Sequence, residues 1–425
     1  MPDPTDLVLA RVEALEDELV DFAAELVRIP TVNPPGEHYE EAAELIGGRL
    51  RELGFEVDYP VAEERPEHSE RHPRVNVVGL REGRGRRPLV HLNGHFDVVP
   101  AGGGWSVDPF AGIVDDGRLY GRGSADMKAG IAAGVYAAEA VRRAGMQLEG
   151  GVEISGTVDE ESGGFAGVGH LAKTGRIAPD RTDYVIIPEP LNVDRICVGH
   201  RGVYWFKVTV HGKIAHGSMP FLGVSAIDRM AALQERIRAE LTPTLQERHT
   251  EMPVVPEGAR RGTLNVNAII GGQAGEWPQT PCVADRCEAV FDRRFIIEKG
   301  FEATREQIRE IVATVDAEDP NSSFEVEDLL IVHPTLTPED SPLITSLQRS
   351  IRRVLGREPE LIASPGTYDH KHVAQIAGVE HCVAYGPGVL EQAHQPDEWC
   401  AVDDLVAATK VMALTLMELA GTPAG

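Results

Sequence analysis

The most constraining feature of the sequence is an apolar run that ends in a polar loop, HLNGHFDVVP at residues 91–100. Residues 88–92 predict a buried strand, and its end at Gly94 leads into a loop that carries His95 and Asp97. Because ligands of open α/β sheets bind beyond the carboxyl ends of the strands, these two side chains stand where chemistry is expected. Such a pair is often only a hydrogen-bonded loop contact, so the rest of the chain must separate the two interpretations.

Size and charge limit the partners of this chain. It has 425 residues, 42% of them hydrophobic, and no apolar run of about 18 residues, so we expect two globular domains and no membrane span. The 67 acidic and 41 basic residues give a net charge of −26, which repels nucleic acid and anionic lipid surfaces. The acidic N-terminus and five scattered cysteines predict a cytoplasmic protein with reduced thiols.

Helix and strand patterns alternate along the first hundred residues. Apolar residues at steps of three and four predict one amphipathic helix from Val8 to Leu26. A second helix is expected over residues 39–53 and short strands over 55–59 and 75–80. This alternation predicts an α/β fold with a mostly parallel sheet flanked by helices.

Carboxylates recur directly after apolar runs. The strand predicted at residues 152–158 leads into three consecutive acidic residues, 159–161, and the apolar run 184–187 leads to Glu189 between two prolines. Adjacent carboxylates at the end of a buried strand repel one another, so they require an exposed turn, protons or a cation. We favour the cation.

Asp126 precedes a helix of small residues predicted over 129–144. The preceding Gly121-x-Gly123 is compatible with a dinucleotide-binding loop, but Asp126 stands at the third glycine position and would face a pyrophosphate with negative charge. The dinucleotide interpretation is therefore rejected. Asp126 is either a helix cap or a functional group.

Together these segments resemble the M20 family of co-catalytic zinc aminoacylases and exopeptidases, which includes acetylornithine deacetylase, succinyl-diaminopimelate desuccinylase, aminoacylase-1 and carboxypeptidase G2. The likeness rests on HLNGHFDVVP, GRGSADMKAG, DEESGG, IIPEP, YGPG and AHQPDE, in the family's order along most of the chain. It implies a zinc-exopeptidase-like α/β catalytic domain in two parts, residues 1–199 and 333–425. An inserted α+β lid and dimerisation domain would cover residues 200–332.

The resemblance also implies a centre of two Zn²⁺ ions, for which Co²⁺ or Mn²⁺ can substitute. Its ligands would be His95 and Glu189 on one ion, Glu161 and His394 on the other, and Asp126 bridging both. Imidazole and carboxylate groups suit zinc. Three ligand carboxylates against two divalent ions leave one positive charge, which a bound hydroxide cancels.

Catalytic roles follow from the same resemblance. Glu160 would be the general base, on an extended segment that points its side chain away from the neighbouring ligand Glu161. It would take a proton from water and return it to the departing amine. Asp97 would accept the second ring N–H of His95 and orient that ligand.

In the lid domain, His216 resembles the histidine that reaches the partner subunit's active site and stabilises the oxyanion, although a solvent-exposed turn histidine would look the same. A homodimer is therefore expected. Arg294 matches a carboxylate-binding arginine, and the adjacent Arg293 is expected to be a solvated or paired charge. Gly366 and Thr367 match a loop that binds the substrate carboxylate.

The expected activity is removal of an acetyl, succinyl or similar group from an N-acylated amino acid by a hydroxide held between two metal ions. The alternative is an exopeptidase that cleaves dipeptides or a C-terminal residue with the same site, and a non-catalytic small-molecule binder is a third class. Two departures from relatives, Pro278–Asp285 in the lid and Tyr368 beside Thr367, leave the acyl group open.

Overall fold

The computed structural model describes residues 3–273 and 281–421, and the chain forms two compact units. The first unit comprises residues 1–199, 337–362 and 368–425, and the second comprises residues 200–336 and 363–367. Part of the Pro278–Asp285 segment, residues 278–280, lies outside the described residues.

The second unit is larger than the sequence analysis expected, since it ends at residue 336 instead of 332 and includes residues 363–367. Backbone hydrogen bonds explain the latter segment: the Ala363 N–H donates to Pro253 O at 2.8 Å, and the Val255 N–H donates to Ala363 O at 3.2 Å. Arg201 Nη2 also donates to the Pro365 carbonyl at 3.1 Å. Residues 363–367 return to the second unit after the chain has passed through residues 337–362 of the first unit, so local sequence patterns do not predict these contacts.

The first part of the first unit alternates helices and strands. The helices are α1 (Pro4–Glu13), α2 (Glu16–Arg28), α3 (Tyr39–Glu52), α4 (Ala129–Arg143) and α5 (Val168–Lys173). The strands are β1 (Glu56–Asp58), β2 (Val77–Arg81), β3 (Leu89–His95), β4 (Ile113–Asp115), β5 (Arg118–Tyr120), β6 (Gly151–Thr157), β7 (Tyr184–Ile187) and β8 (Arg195–His200).

The second unit follows with one antiparallel sheet and helices on it. The strands of that sheet are β9 (Gly202–His211), β10 (Thr263–Gly272), β11 (Arg286–Phe295) and β12 (Ser323–Val332), and the short strand β13 (Thr335–Leu336) is not part of it. The helices of the unit are α6 (Ala226–Arg236), α7 (Thr242–Glu247) and α8 (Phe301–Asp316). The last part of the chain adds α9 (Pro342–Leu355), β14 (Glu360–Ser364), α10 (His370–His372), β15 (Cys382–Ala384), β16 (Trp399–Ala401) and α11 (Val402–Gly421).

The main sheet of the first unit confirms the α/β prediction. Its strands lie in the order β1-β2-β6-β3-β7-β15-β8. The four central strands β6, β3, β7 and β15 are parallel, whereas the pairs towards both edges are antiparallel. Every residue of β3 and β6 is buried, as is typical of parallel strands covered on both faces.

The helix predicted from Val8 to Leu26 is in fact two helices. The helix is interrupted at Ala14 and Leu15, where the Leu15 N–H donates a hydrogen bond to Val12 O at 3.0 Å. Leu15 is buried like the apolar residues on either side of it. Because the break preserves the spacing of the apolar positions, periodicity alone cannot reveal it.

The second unit has one covered sheet face. Its four long strands lie in the order β10-β11-β9-β12 and are all antiparallel. Alternate residues of β11 are buried, and its Phe291 ring stacks on the ring of Phe206 in β9 at 4.9 Å between centroids. Among the described helices of both units, none is long and apolar enough to cross a membrane.

Candidate metal centre

Three neighbouring parallel strands of the first unit deliver polar side chains at the same edge of the sheet. His95 is the last residue of β3, Glu161 follows β6, and Glu189 follows β7. These strands are adjacent in the order β6-β3-β7. Because the carboxyl ends of parallel strands meet at one edge, residues separated by up to about a hundred positions converge there.

The five predicted ligands come together around Asp126. His95 Nε2 lies 3.1 Å from Asp126 Oδ1 and 3.9 Å from Glu189 Oε1. His394 Nε2 lies 3.5 Å from Asp126 Oδ2 and 3.1 Å from Glu161 Oε1. Asp126 thus presents one oxygen to each histidine, as a bridging ligand would. The residues form two groups that share Asp126, one with His95 and Glu189 and the other with Glu161 and His394. Within each group the potential ligand atoms lie within 4.8 Å of one another.

The buried carboxylates of this cluster are stabilised by bound protons or cations. Burial, with the nearby charge of Asp126, raises the pKa of Glu189 well above its usual value and that of Glu161 to about 7. Burial also opposes ionisation of Asp126, yet its contacts with His95 and His394 hold its pKa below the usual value. Imidazoles and carboxylates in this arrangement are ligands that divalent zinc accepts. The residues therefore fit two divalent cations.

Glu398 holds the loop that carries Asp126. Its Oε1 accepts the backbone N–H groups of Gly123, Ala125 and Asp126 at 3.0, 2.9 and 3.1 Å. Its Oε2 accepts a hydrogen bond from Arg122, and both side chains are buried. The peptide bond between Asp126 and Met127 is cis. Glu398 stands in the AHQPDE motif, but the motif does not reveal this positioning role.

Asp97 supports the site differently from the prediction. His95 Nδ1 lies 3.0 Å from the Asp97 backbone carbonyl oxygen and 3.5 Å from its carboxylate, so the carbonyl is the closer acceptor. The carboxylate accepts the backbone N–H groups of Glu160 at 3.1 Å and Glu161 at 3.2 Å. It also accepts Asn33 Nδ2 at 2.9 Å, a residue that the sequence analysis did not identify. Asp97 therefore anchors the turn that carries Glu160 and Glu161.

Glu160 and Glu161 do not lie on an extended segment, contrary to the prediction. They begin a single 3₁₀ turn, Glu160–Ser162, and their side chains still separate. Glu161 contacts His394, whereas Glu160 Oε1 lies 3.5 Å from the Nζ of Lys371. Lys371 was not predicted from the sequence, where its only signal is a lysine four residues after Thr367.

Asp159 is not one of the groups that need a cation. Its two carboxylate oxygens accept hydrogen bonds from Arg74 Nε and the Tyr39 hydroxyl, both at 2.8 Å. Arg74 and Asp159 are both buried. The repulsion expected within residues 159–161 is therefore relieved at this position by an arginine.

The other predicted residues lie in the second unit. His216 is exposed, with its Nδ1 2.8 Å from Ser218 Oγ. Arg294 donates to both carboxylate oxygens of Asp292, at 2.7 and 2.9 Å. The Gly366 N–H donates to Ser364 Oγ at 3.1 Å, and Thr367 is the last residue of that segment of the unit. The catalytic and substrate-binding roles of these four predicted residues stay predictions.

Comparison with protein-family models decides the classification: residues 91–418 match the model of peptidase family M20/M25/M40. The chain belongs to this family. Its M20 relatives include a succinyl-diaminopimelate desuccinylase of Psychrobacter arcticus, 28% identical over 92% of this chain and 91% of the relative. An N-formyl-4-amino-5-aminomethyl-2-methylpyrimidine deformylase of Bacillus subtilis is 28% identical over 95% and 94%.

The fold comparison agrees with the family assignment. The crystal structure of aminopeptidase PepT from Bacillus cereus matches with a TM-score of 0.75 and 22% identity, covering 95% of this chain and 99% of that one. The M20 protein described here is thus a metal-dependent hydrolase that acts on linear amide C–N bonds.

Proposed function

We propose that this M20 hydrolase removes an acyl group, such as acetyl or succinyl, from an N-acylated amino acid. The observation that carries the proposal is the pair of His–carboxylate groups that share Asp126, with Glu160 beside them. The desuccinylase and deformylase relatives, which cover nearly the whole chain, support an acyl amide substrate.

Two Zn²⁺ ions, or Co²⁺ or Mn²⁺ in their place, would be held by His95, Asp126, Glu161, Glu189 and His394. Such ions supply Lewis acidity and lower the pKa of a water molecule. Glu160 would accept a proton from water as the water oxygen bonds to the amide carbonyl carbon, and would return that proton to the amine nitrogen as the C–N bond breaks. Lys371 contacts the Glu160 carboxylate at 3.5 Å, and the Asp97 carboxylate accepts the backbone N–H of Glu160.

For the second unit we propose the roles implied by the family. His216 would stabilise the developing oxyanion in the active site of a partner subunit. Arg294, Gly366 and Thr367 would bind the substrate carboxylate. Arg294 already forms a two-pronged carboxylate contact with Asp292, which is the geometry that this role uses.

Surface features of the second unit support the proposed homodimer. β10 is an edge strand of its sheet, and Ile270 on it is 68% exposed. Ile227 on α6 is also exposed, and Phe221, close in sequence to His216, is 80% exposed. Within the described strands this is a sheet edge beside exposed apolar side chains, which is the kind of surface that a symmetric partner covers. The cytoplasmic location and the lack of nucleic-acid or membrane partners stay predictions.

Hydrolysis of a substrate panel tests the proposed function. The zinc-loaded enzyme should cleave at least one of the N-acetyl, N-succinyl and N-formyl amino acids faster than any dipeptide, measured as kcat/KM by amine release. Glu160→Gln protein, prepared in parallel, controls for contaminating hydrolases. A preference for dipeptides would replace the deacylase proposal with an exopeptidase. Tight binding without hydrolysis of any member would favour a binding protein.

A further inference from the structure

Arg293 is a buried cation in the second unit, not the solvated or paired charge expected from the sequence. It is only 2% exposed, because residue alternation along β11 places it with Phe291 and Phe295 on the covered face of the sheet. The neighbouring Arg294 lies on the other face and pairs with Asp292. Burial of an arginine is costly unless its charge is compensated.

Among the described residues, the positive charge of Arg293 is only partly compensated by hydrogen-bond acceptors. Arg293 Nη1 donates to the carbonyl oxygens of Thr263, at 3.2 Å, and of Arg294. Its buried Nε has no hydrogen-bond acceptor, and within the described ranges no carboxylate lies at ion-pair distance from the guanidinium. Burial, together with repulsion from Arg201, lowers the pKa of Arg293 to about 10. The surroundings of this cation therefore lack negative charge.

A cavity of about 250 Å³ lies beside the guanidinium, entirely within the second unit. Two further cations, Arg248 and Lys299, line it with Arg293, and the side chains of Thr244 and Gln307 add polar groups. Neither Arg248 nor Lys299 forms an ion pair with any described residue. The only acidic residue in the lining is Glu247, so the cavity wall carries a formal charge of +2, from three cations and one carboxylate.

We propose that this cavity binds a small anion bearing a phosphate group. A phosphate carries a charge of about −1.5 to −2 at pH 7, which balances the cavity wall, whereas one carboxylate supplies half of that charge. Arginine donates in a planar fork that matches phosphate oxygens, and lysine adds a point charge. The cavity is smaller than the roughly 300–1,000 Å³ of drug-sized ligand sites, which favours a small ligand. Because the whole chain has a net charge of −26, anions are repelled from most of its surface, and the positive charge of this cavity attracts them only locally.

Calorimetric titration of the zinc-loaded protein with inorganic phosphate, at constant ionic strength, tests the proposal. One phosphate should bind per chain. Arg248→Gln and Lys299→Gln should each weaken binding by about tenfold or more, since each removes a charged hydrogen-bond donor. The matched control is Arg238→Gln, because Arg238 is an exposed arginine of the same unit, whose Nε only bonds the Gln234 carbonyl. This control should bind phosphate like the wild type.

Phosphate can also coordinate metal ions, so a His394→Ala variant identifies binding at the metal centre. Binding that disappears in His394→Ala, but persists in both Arg248→Gln and Lys299→Gln, would overturn the proposal. Equal affinity for succinate, with the same dependence on Arg248 and Lys299, would contradict the phosphate assignment. Because Arg248 is exposed and Lys299 partly exposed, both variants should fold, and circular dichroism checks this.

Discussion

Lys371 Nζ lies 3.5 Å from Glu160 Oε1, and both side chains are largely buried. The contact orients the proposed base, whereas the neighbouring Glu161 contacts His394. Lys371→Met should therefore lower kcat by about 10–100-fold with little change in KM, as expected for loss of a charged contact. Lys371→Arg should retain more activity, since it keeps the charge. Equal losses in both variants would indicate a packing role, and a rise in KM alone would indicate substrate binding.

Glu160 and Glu161 are adjacent but should respond differently to the same substitution. Glu160→Gln removes the proton acceptor without removing a ligand, so activity should fall by about 10²–10⁴-fold while the metal content stays near two ions per chain. Glu161→Gln should lose both activity and metal. Elemental analysis with steady-state kinetics measures the two effects. Near-normal turnover of Glu160→Gln would contradict the proposed mechanism.

Glu398 should affect metal binding without touching the metal. Glu398→Gln keeps an oxygen for the three backbone N–H groups around Asp126 but loses the charge that pairs with Arg122. We expect zinc affinity to fall by about 10–100-fold, as for other groups that orient ligands. Competition with a chelating dye measures it. Glu380→Gln, at an exposed position of the same unit, is the control and should bind zinc normally.

Removal of metal should abolish activity and make stability depend on pH. Burial raises the pKa of Glu161 to about 7 and that of Glu189 well above its usual value, while contacts with Asp126 and Asp97 raise the pKa of His95 against the effect of burial. For all three groups the folded state binds protons more tightly than the unfolded state, so the stability of the metal-free protein should fall as pH rises from about 5 to 8.

Thermal unfolding of chelator-treated protein between pH 5.5 and pH 8 measures this dependence. Zinc, cobalt or manganese should restore activity and flatten the pH dependence, because a cation replaces the protons. Metal-free protein that is as stable at pH 8 as at pH 6 would rule out a crowded carboxylate cluster.

His216 tests the proposed assembly. His216→Ala and Glu160→Ala chains are each expected to be inactive as separate homodimers. When subunits exchange, half of the dimers are mixed and each holds one intact site, so activity should recover to about a quarter of wild type. Sedimentation of labelled chains verifies the exchange. No recovery after demonstrated exchange would show that His216 does not act across a dimer.

Local sequence patterns determined much of this protein. Apolar runs followed by polar loops predicted the strands that end at His95 and before Glu189, because burial on both sheet faces selects continuous apolar residues. Motif resemblance predicted Asp126, Glu161 and His394, and the structure brings all five predicted ligands together. These predictions depend on features within about ten residues of chain, which a sequence displays directly.

Only the tertiary structure decided which distant groups support those ligands. Asn33 and Asp97, Glu160 and Lys371, and Arg122 and Glu398 are separated by 64 to 276 positions, so no spacing rule joins them. The two arginines at 293 and 294 are similar in sequence, yet the covering of one sheet face buries the first and leaves the second to pair with Asp292. A side chain's surroundings depend on which elements pack above it, and that packing is a property of the whole fold.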